Sequence, residues 1–63
     1  MSVNRRDLIR HLEKNGYFLR REGGNHSIYG NDTGKCVPVK RRAALDRITA
    51  NAICKQAGIE AIF

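Results

Sequence analysis

The chain has 63 residues, and twelve Lys and Arg against six Asp and Glu give a formal charge of +6. A domain this small buries only about 60% of the surface its unfolded chain exposes. That excludes a separate cofactor domain or a deep cavity and puts any function on the surface or in a shallow cleft. The charge suits a polyanion, whereas two Tyr, two Phe and no Trp are too few for a basic amphipathic membrane helix.

The opening "MSVNRRDLIRHLEK" is charged where the apolar segment of a signal peptide would fall, and no run approaches transmembrane length. The expectation is one domain, 1–63, working in the cytoplasm without a membrane. Cys36 and Cys54 lie in apolar surroundings without metal-type spacing, and both read as buried thiols.

The first segment predicts a helix. Asn4 can cap it, with Asp7 as the capping acid three residues on and Val3 and Leu8 as a hydrophobic staple. Leu8, Ile9 and Leu12 share a face, and Asn15-Gly16 supplies a left-handed stop. His11 follows Asp7 by one helical turn and reads as half of a local ion pair on a solvated face.

Three strands follow. "YFLRRE" (17–22) is rich in β-formers and ends at Gly23-Gly24, "HSIYG" (26–30) is the second strand, and "NDTG" (31–34) is turn chemistry before "KCVPVK" (35–40). Pro38 cannot donate to a ladder, so the third strand belongs at an edge. Two short loops between three strands predict an antiparallel meander. Tyr29 reads as a core ring with a polar tip, although a surface ring could stack on a base.

The basic run "KRR" (40–42) leads into a second helix. Thr49 can cap it, with Ile48 and Ile53 as a staple; propensity leaves open whether residues 43–48 extend it backwards. Ala50, Ile53, Cys54 and Ala57 form an apolar face of small residues, Gly58 ends the helix, and "IEAIF" is apolar enough to pack or to meet a partner. The predicted fold is α+β in the order α-β-β-β-α, with two helices on one face of a three-stranded antiparallel sheet. That is the layout of double-stranded-RNA-binding domains, which read RNA by shape and backbone.

"NGYFLRREGGNHSIYGNDTGKCVPV" followed by a helix ending "ICKQAGI" resembles the HicA toxins of bacterial toxin–antitoxin pairs, from about Arg5 to Ile59. The resemblance implies a small ribonuclease that cuts messenger RNA, blocks translation and is kept inactive by a HicB-type antitoxin masking its site. It also implies that His26, after the glycine turn, is the catalytic histidine. The chain departs from the family's pattern twice. It reads Gly24-Asn25-His26-Ser27 where a second histidine is usual, and "VKRR" where Pro-Arg-His is frequent. Lys40, Arg41 or Arg42 must then supply what a second imidazole would.

The residues suit that chemistry. RNA carries its own nucleophile, the 2′-hydroxyl, so cleavage needs a base and charge stabilisation rather than a metal or another cofactor. An imidazole, with an ordinary pKa of about 6.5, is matched to proton transfer near neutral pH. Arg20, Arg21, Lys35, Lys40, Arg41 and Arg42 are the candidates for holding the RNA backbone and the charge building on phosphorus. Asp7, Glu13, Glu22, Asp32, Asp46 and Glu60 are scattered singly, unlike a magnesium site, and the His and Cys residues lack zinc spacing. The alternative is a non-catalytic RNA-binding module in which His26 is structural. Strand alternation puts His26 on the face of Ile28, so a buried Ile28 would require the flexible glycine turn to swing His26 out.

Overall fold

The computed structural model describes residues 2–63. In chain order the elements are β1 (Ser2–Asn4), α1 (Arg5–Lys14), β2 (Phe18–Gly23), β3 (His26–Gly30), β4 (Cys36–Lys40), β5 (Ala44–Asp46) and α2 (Arg47–Gln56). The predicted meander is present as an antiparallel sheet in the order β2-β3-β4, which leaves Pro38 on an edge strand.

Register decides which face of the sheet is buried. Ser27 pairs with Val39 and Tyr29 with Val37, and all four are buried. Leu8 and Leu12 of α1 join the same core as Ala50, Ile53 and Cys54 of α2. Both helices therefore pack on one face, as predicted. The residues between, His26, Ile28, Pro38 and Lys40, turn to the open face. Ile28 is only half-buried there. His26 needs no escape from the core, and the glycine turn is not what exposes it.

Both helices stop by the same device. At α1, Gly16 at φ 85° follows the C-cap Asn15, with Gly16 N–H donating to Glu13 and Tyr17 N–H to Leu12 at 3.1 and 3.0 Å. At α2, Gly58 at φ 72° does the same, its N–H donating to Lys55 and that of Ile59 to Cys54 at 3.0 and 2.9 Å. Each is a Schellman turn, closed by the glycine that tolerates left-handed backbone. The first turn aims Tyr17 inward. Its ring is 1% exposed, and its hydroxyl donates 2.6 Å to the Ala57 carbonyl at the end of α2.

Several expectations are corrected. β1 and β5 pair with each other through Val3↔Leu45, a two-stranded ribbon the pattern did not suggest. The second helix begins at Arg47, and its cap is Asp46, which accepts from the Thr49 N–H at 2.8 Å and the Thr49 hydroxyl at 3.1 Å. Thr49 is thus inside the helix, and Ile48 is 82% exposed rather than a staple. Asn4 begins α1 by its backbone alone, with no side-chain cap bond.

His11 is not paired with Asp7. It donates from Nε2 to the Glu60 carbonyl at 2.7 Å and meets the Phe63 ring edge-on at 6.0 Å, pinning the terminal segment to α1. Cys54 is buried, and that burial pushes its thiol up, whereas Cys36 is exposed on the outward side of β4; both are free thiols. Among the described residues no helix is long and apolar enough to cross a membrane.

The Tyr17–Ala57 bond ties the two helix ends together, so Tyr17→Phe, which leaves a buried carbonyl without its donor, is expected to cost about 1–3 kcal/mol. Urea denaturation checks this, and an unchanged midpoint would show that the bond contributes nothing.

Candidate active site

The β2–β3 turn sets His26 in place. Gly23 pairs with His26 across it, and His26 pairs in turn with Lys40 at the end of β4. Neither Gly24 nor Asn25 adopts positive φ. The imidazole therefore stands on the open face, at the corner where the chain leaves β4 along Arg41 and Arg42. Asn25, His26, Lys40, Arg41 and Arg42 line one cleft of about 410 Å³.

The two sides of this cleft are held together by a chain of polar contacts. Arg5, the first residue of α1, donates from Nε to the Lys40 carbonyl at 2.8 Å and from Nη2 to the Ser27 hydroxyl at 2.9 Å. Ser27 donates onward to Glu22 Oε1 at 2.6 Å, and the other Glu22 oxygen lies 3.4 Å from Arg41 Nη2. Arg41 closes the loop, its backbone N–H donating to the Asn25 carbonyl at 3.2 Å and its Nη1 to that of Gly24 at 3.4 Å. Ser27 is 0% exposed and fully engaged. The bond from Ser27, and then the Arg41 charge, hold the Glu22 carboxyl below its ordinary 4.5.

The six candidate cations separate into groups. Lys40 and Arg42 are exposed side chains that line the cleft with His26. Arg41 also lines it, but its guanidinium is bound to the turn and to Glu22. Arg21 pairs with Ile28, so it lies on the open face two register positions from His26. A β-bulge between Leu19 and Arg21 turns Arg20 away, and its Nη2 donates to the Asn31 carbonyl at 3.2 Å. Lys35 stands beside Gly58, beyond the other end of β4. Arg20 and Lys35 therefore do not share the His26 cleft.

Sequence reasoning missed Arg5, Ser27 and Glu22. They are far apart in the chain, and a serine, a glutamate and an arginine carry no motif that would join them. Tyr29 is 6% exposed, and burial pushes its phenol above the ordinary 10.0, so it is a core ring rather than a stacking platform. A larger hollow of about 550 Å³ lies beside α1, with Arg5, Arg6, Arg10 and Glu13 around it. It contains no histidine or other group suited to move a proton near neutral pH. Among the described residues, no group of three or more His, Cys, Asp and Glu could hold a metal ion.

Comparison with known proteins adds one finding. A family model described as "HicA toxin of bacterial toxin-antitoxin" matches residues 5–59. No curated protein and no solved structure matches the chain significantly.

The lowered Glu22 carboxyl implies a pH-dependent contribution to stability. Because its folded value is depressed, the contribution is complete above 4.5 and is lost as pH falls through the folded value. Glu22→Gln is expected to lower the melting temperature at about pH 7, with the gap from wild type closing towards about pH 3. A gap of constant size across thermal melts over that range would rule the coupling out.

Proposed function

The chain belongs to the HicA toxin family and is the toxin of a toxin–antitoxin system with a cognate antitoxin, and on that premise we propose that it is a metal-independent endoribonuclease that cuts messenger RNA. The observation that carries this reading is the register pair His26–Lys40, which puts an imidazole and the Lys40–Arg42 run around one exposed cleft. The antitoxin is of the HicB type and masks this cleft, and the toxin acts in the cytoplasm, where its messenger RNA is.

His26 takes the proton from a 2′-hydroxyl of the bound RNA. The freed oxygen bonds to the adjacent phosphorus while the bond from phosphorus to the 5′-oxygen breaks. Solvent water in the open cleft gives a proton to the leaving oxygen, and the products are a 2′,3′-cyclic phosphate and a 5′-hydroxyl end. Lys40 and Arg42 neutralise the charge gathering on the phosphoryl oxygens. Arg41 acts mainly through the turn: it fixes the backbone of Gly24 and Asn25 just before His26, and its ion pair with half-exposed Glu22 contributes orientation more than energy. Arg21 extends the basic track across the open face. Arg20 and Lys35 add to the overall positive field.

Removing the base tests the assignment. His26→Ala is expected to lower cleavage at least about 100-fold while the circular dichroism spectrum and the RNA affinity stay nearly as in wild type. Arg42→Ala and Lys40→Ala are expected instead to weaken binding, each reducing the salt slope by about 0.7 on single-stranded RNA, and to lower kcat as well. A His26→Ala protein that cuts at the wild-type rate overturns the catalytic assignment. Wild-type protein that binds RNA with a steep salt dependence and never cuts it supports a binding module.

Chelation tests the metal-independent route. Cleavage is expected to persist in EDTA, because among the described residues no carboxylate cluster stands near the His26 cleft to hold Mg²⁺. Activity lost to EDTA and restored by Mg²⁺ or Zn²⁺ would replace this mechanism with a metal-assisted one.

A further inference from the structure

Beside the basic cleft lies a second, more apolar groove of about 260 Å³, between the outward side of β4 and one flank of α2. Pro38 and Lys40 line its sheet side, and Ile48, Ala52 and Gln56 line its helix side at intervals of four residues. This stripe flanks the buried face of α2, formed by Ala50, Ile53 and Cys54, and Ile53 of that face also lines the groove. Ile48 is 82% exposed at the edge of the groove. His26 and Lys40 line both the groove and the basic cleft.

We propose that this groove is a base subsite, in which a nucleobase next to the scissile phosphate lies between Pro38 and the Ile48–Ala52 flank while Gln56 reads its edge. The proposal rests on the ribonuclease reading of the cleft. Three observations favour a base over another occupant. The groove joins the phosphate-binding cleft through two shared side chains, so a ligand running along the cations passes its mouth. Its volume is below the roughly 300 Å³ at which drug-sized pockets begin, which suits one planar ring rather than an extended peptide. Away from the His26 and Lys40 it shares with the cleft, its walls are aliphatic at Pro38, Ile48, Ala52 and Ile53 and polar at Gln56 and Thr49, the combination that packs a ring and reads its hydrogen-bonding edge.

The consequence is selectivity for single-stranded RNA. A base stacked in a duplex cannot enter a groove of this size, so it must be splayed out. Gln56 offers an amide donor and an acceptor side by side, a pattern that some base edges match and others do not. The subsite therefore gives the toxin a preference at the nucleotide beside the cut. The cations contribute none, since phosphate contacts carry no sequence information.

Amide shifts in the ¹⁵N-labelled full chain separate the two pockets. Inorganic phosphate is expected to move Lys40 and Arg42 of the basic cleft and to leave Thr49, Ala52 and Gln56 where they are. The four ribonucleoside 3′-monophosphates are expected to move Thr49, Ala52 and Gln56 as well, and unequally among the four. Ala52→Trp fills the groove; it should remove the additional shifts and raise KM for RNA about fivefold. Gln56→Ala, a milder change on an exposed position, should flatten the differences among the four nucleotides.

Nucleotides that shift nothing beyond what inorganic phosphate shifts would overturn the subsite while leaving the basic cleft in place. The same silence, with an Ala52→Trp protein that loses its antitoxin, would assign the groove to the protein partner instead. Failure of the ribonuclease reading is a different result: wild type cuts no RNA and neither ligand moves Lys40 or Arg42, and the subsite falls with it.

Discussion

The Arg5 guanidinium is the contact on which the arrangement of this protein depends most. One nitrogen holds the carbonyl of Lys40 at the end of β4, and another holds the hydroxyl of Ser27 inside β3. Through Ser27 the contact reaches Glu22, and through Glu22 it reaches Arg41 and the turn before His26. Both walls of the cleft are thereby referred to the first residue of α1. A buried serine and a cation are costly to leave unpaired, so these groups favour one arrangement over many nearly equivalent ones.

The β1–β5 ribbon makes that contact geometrically available. Its last register pair is Asn4↔Ala44, and the Arg5 N–H continues it by donating to Ala43 at 2.9 Å. The backbone of Arg5 is thus fixed beside Ala43, from where its side chain reaches the Lys40 carbonyl. The ribbon also joins the starts of the two helices, while the Tyr17–Ala57 bond joins Tyr17, just past the end of α1, to the end of α2. A chain with so little core relies on such ties, because each large side chain and each satisfied polar group is a sizeable share of its marginal stability.

The edge position of β4 links fold to function. An edge strand bearing Pro38 cannot extend the sheet on that side, and α2 lies along it instead. Residues that face outward from β4 consequently meet both the cationic run that follows the strand and the flank of the helix after it. A central strand would have had neighbours in both places. Cations, imidazole and apolar groove come together because the sheet ends there.

Much of this was legible in the residues themselves. The apolar faces of both helices, their glycine stops, the three strands and the edge strand with Pro38 follow from local rules about periodicity, positive φ and missing donors, and those rules act over a few residues. Local rules failed where a distant partner competed. His11 had Asp7 four residues away but turned to Glu60 and Phe63; Asp46 took the cap that propensity offered to Thr49, because β5 delivers it in extended backbone with its carboxylate at the helix start. Three-residue β1 and β5 have no periodicity long enough to detect, and they exist only as each other's partner. The sequence by itself determined that one histidine would stand beside a glycine turn in a strongly basic α+β domain of the HicA pattern. Only the tertiary structure decided that His26 faces outward opposite Lys40, that Arg20 and Lys35 stand apart from it, and that Arg5, Ser27 and Glu22 hold the site. Strand register and bulges set those relations, and they depend on pairing between residues that the chain keeps far apart.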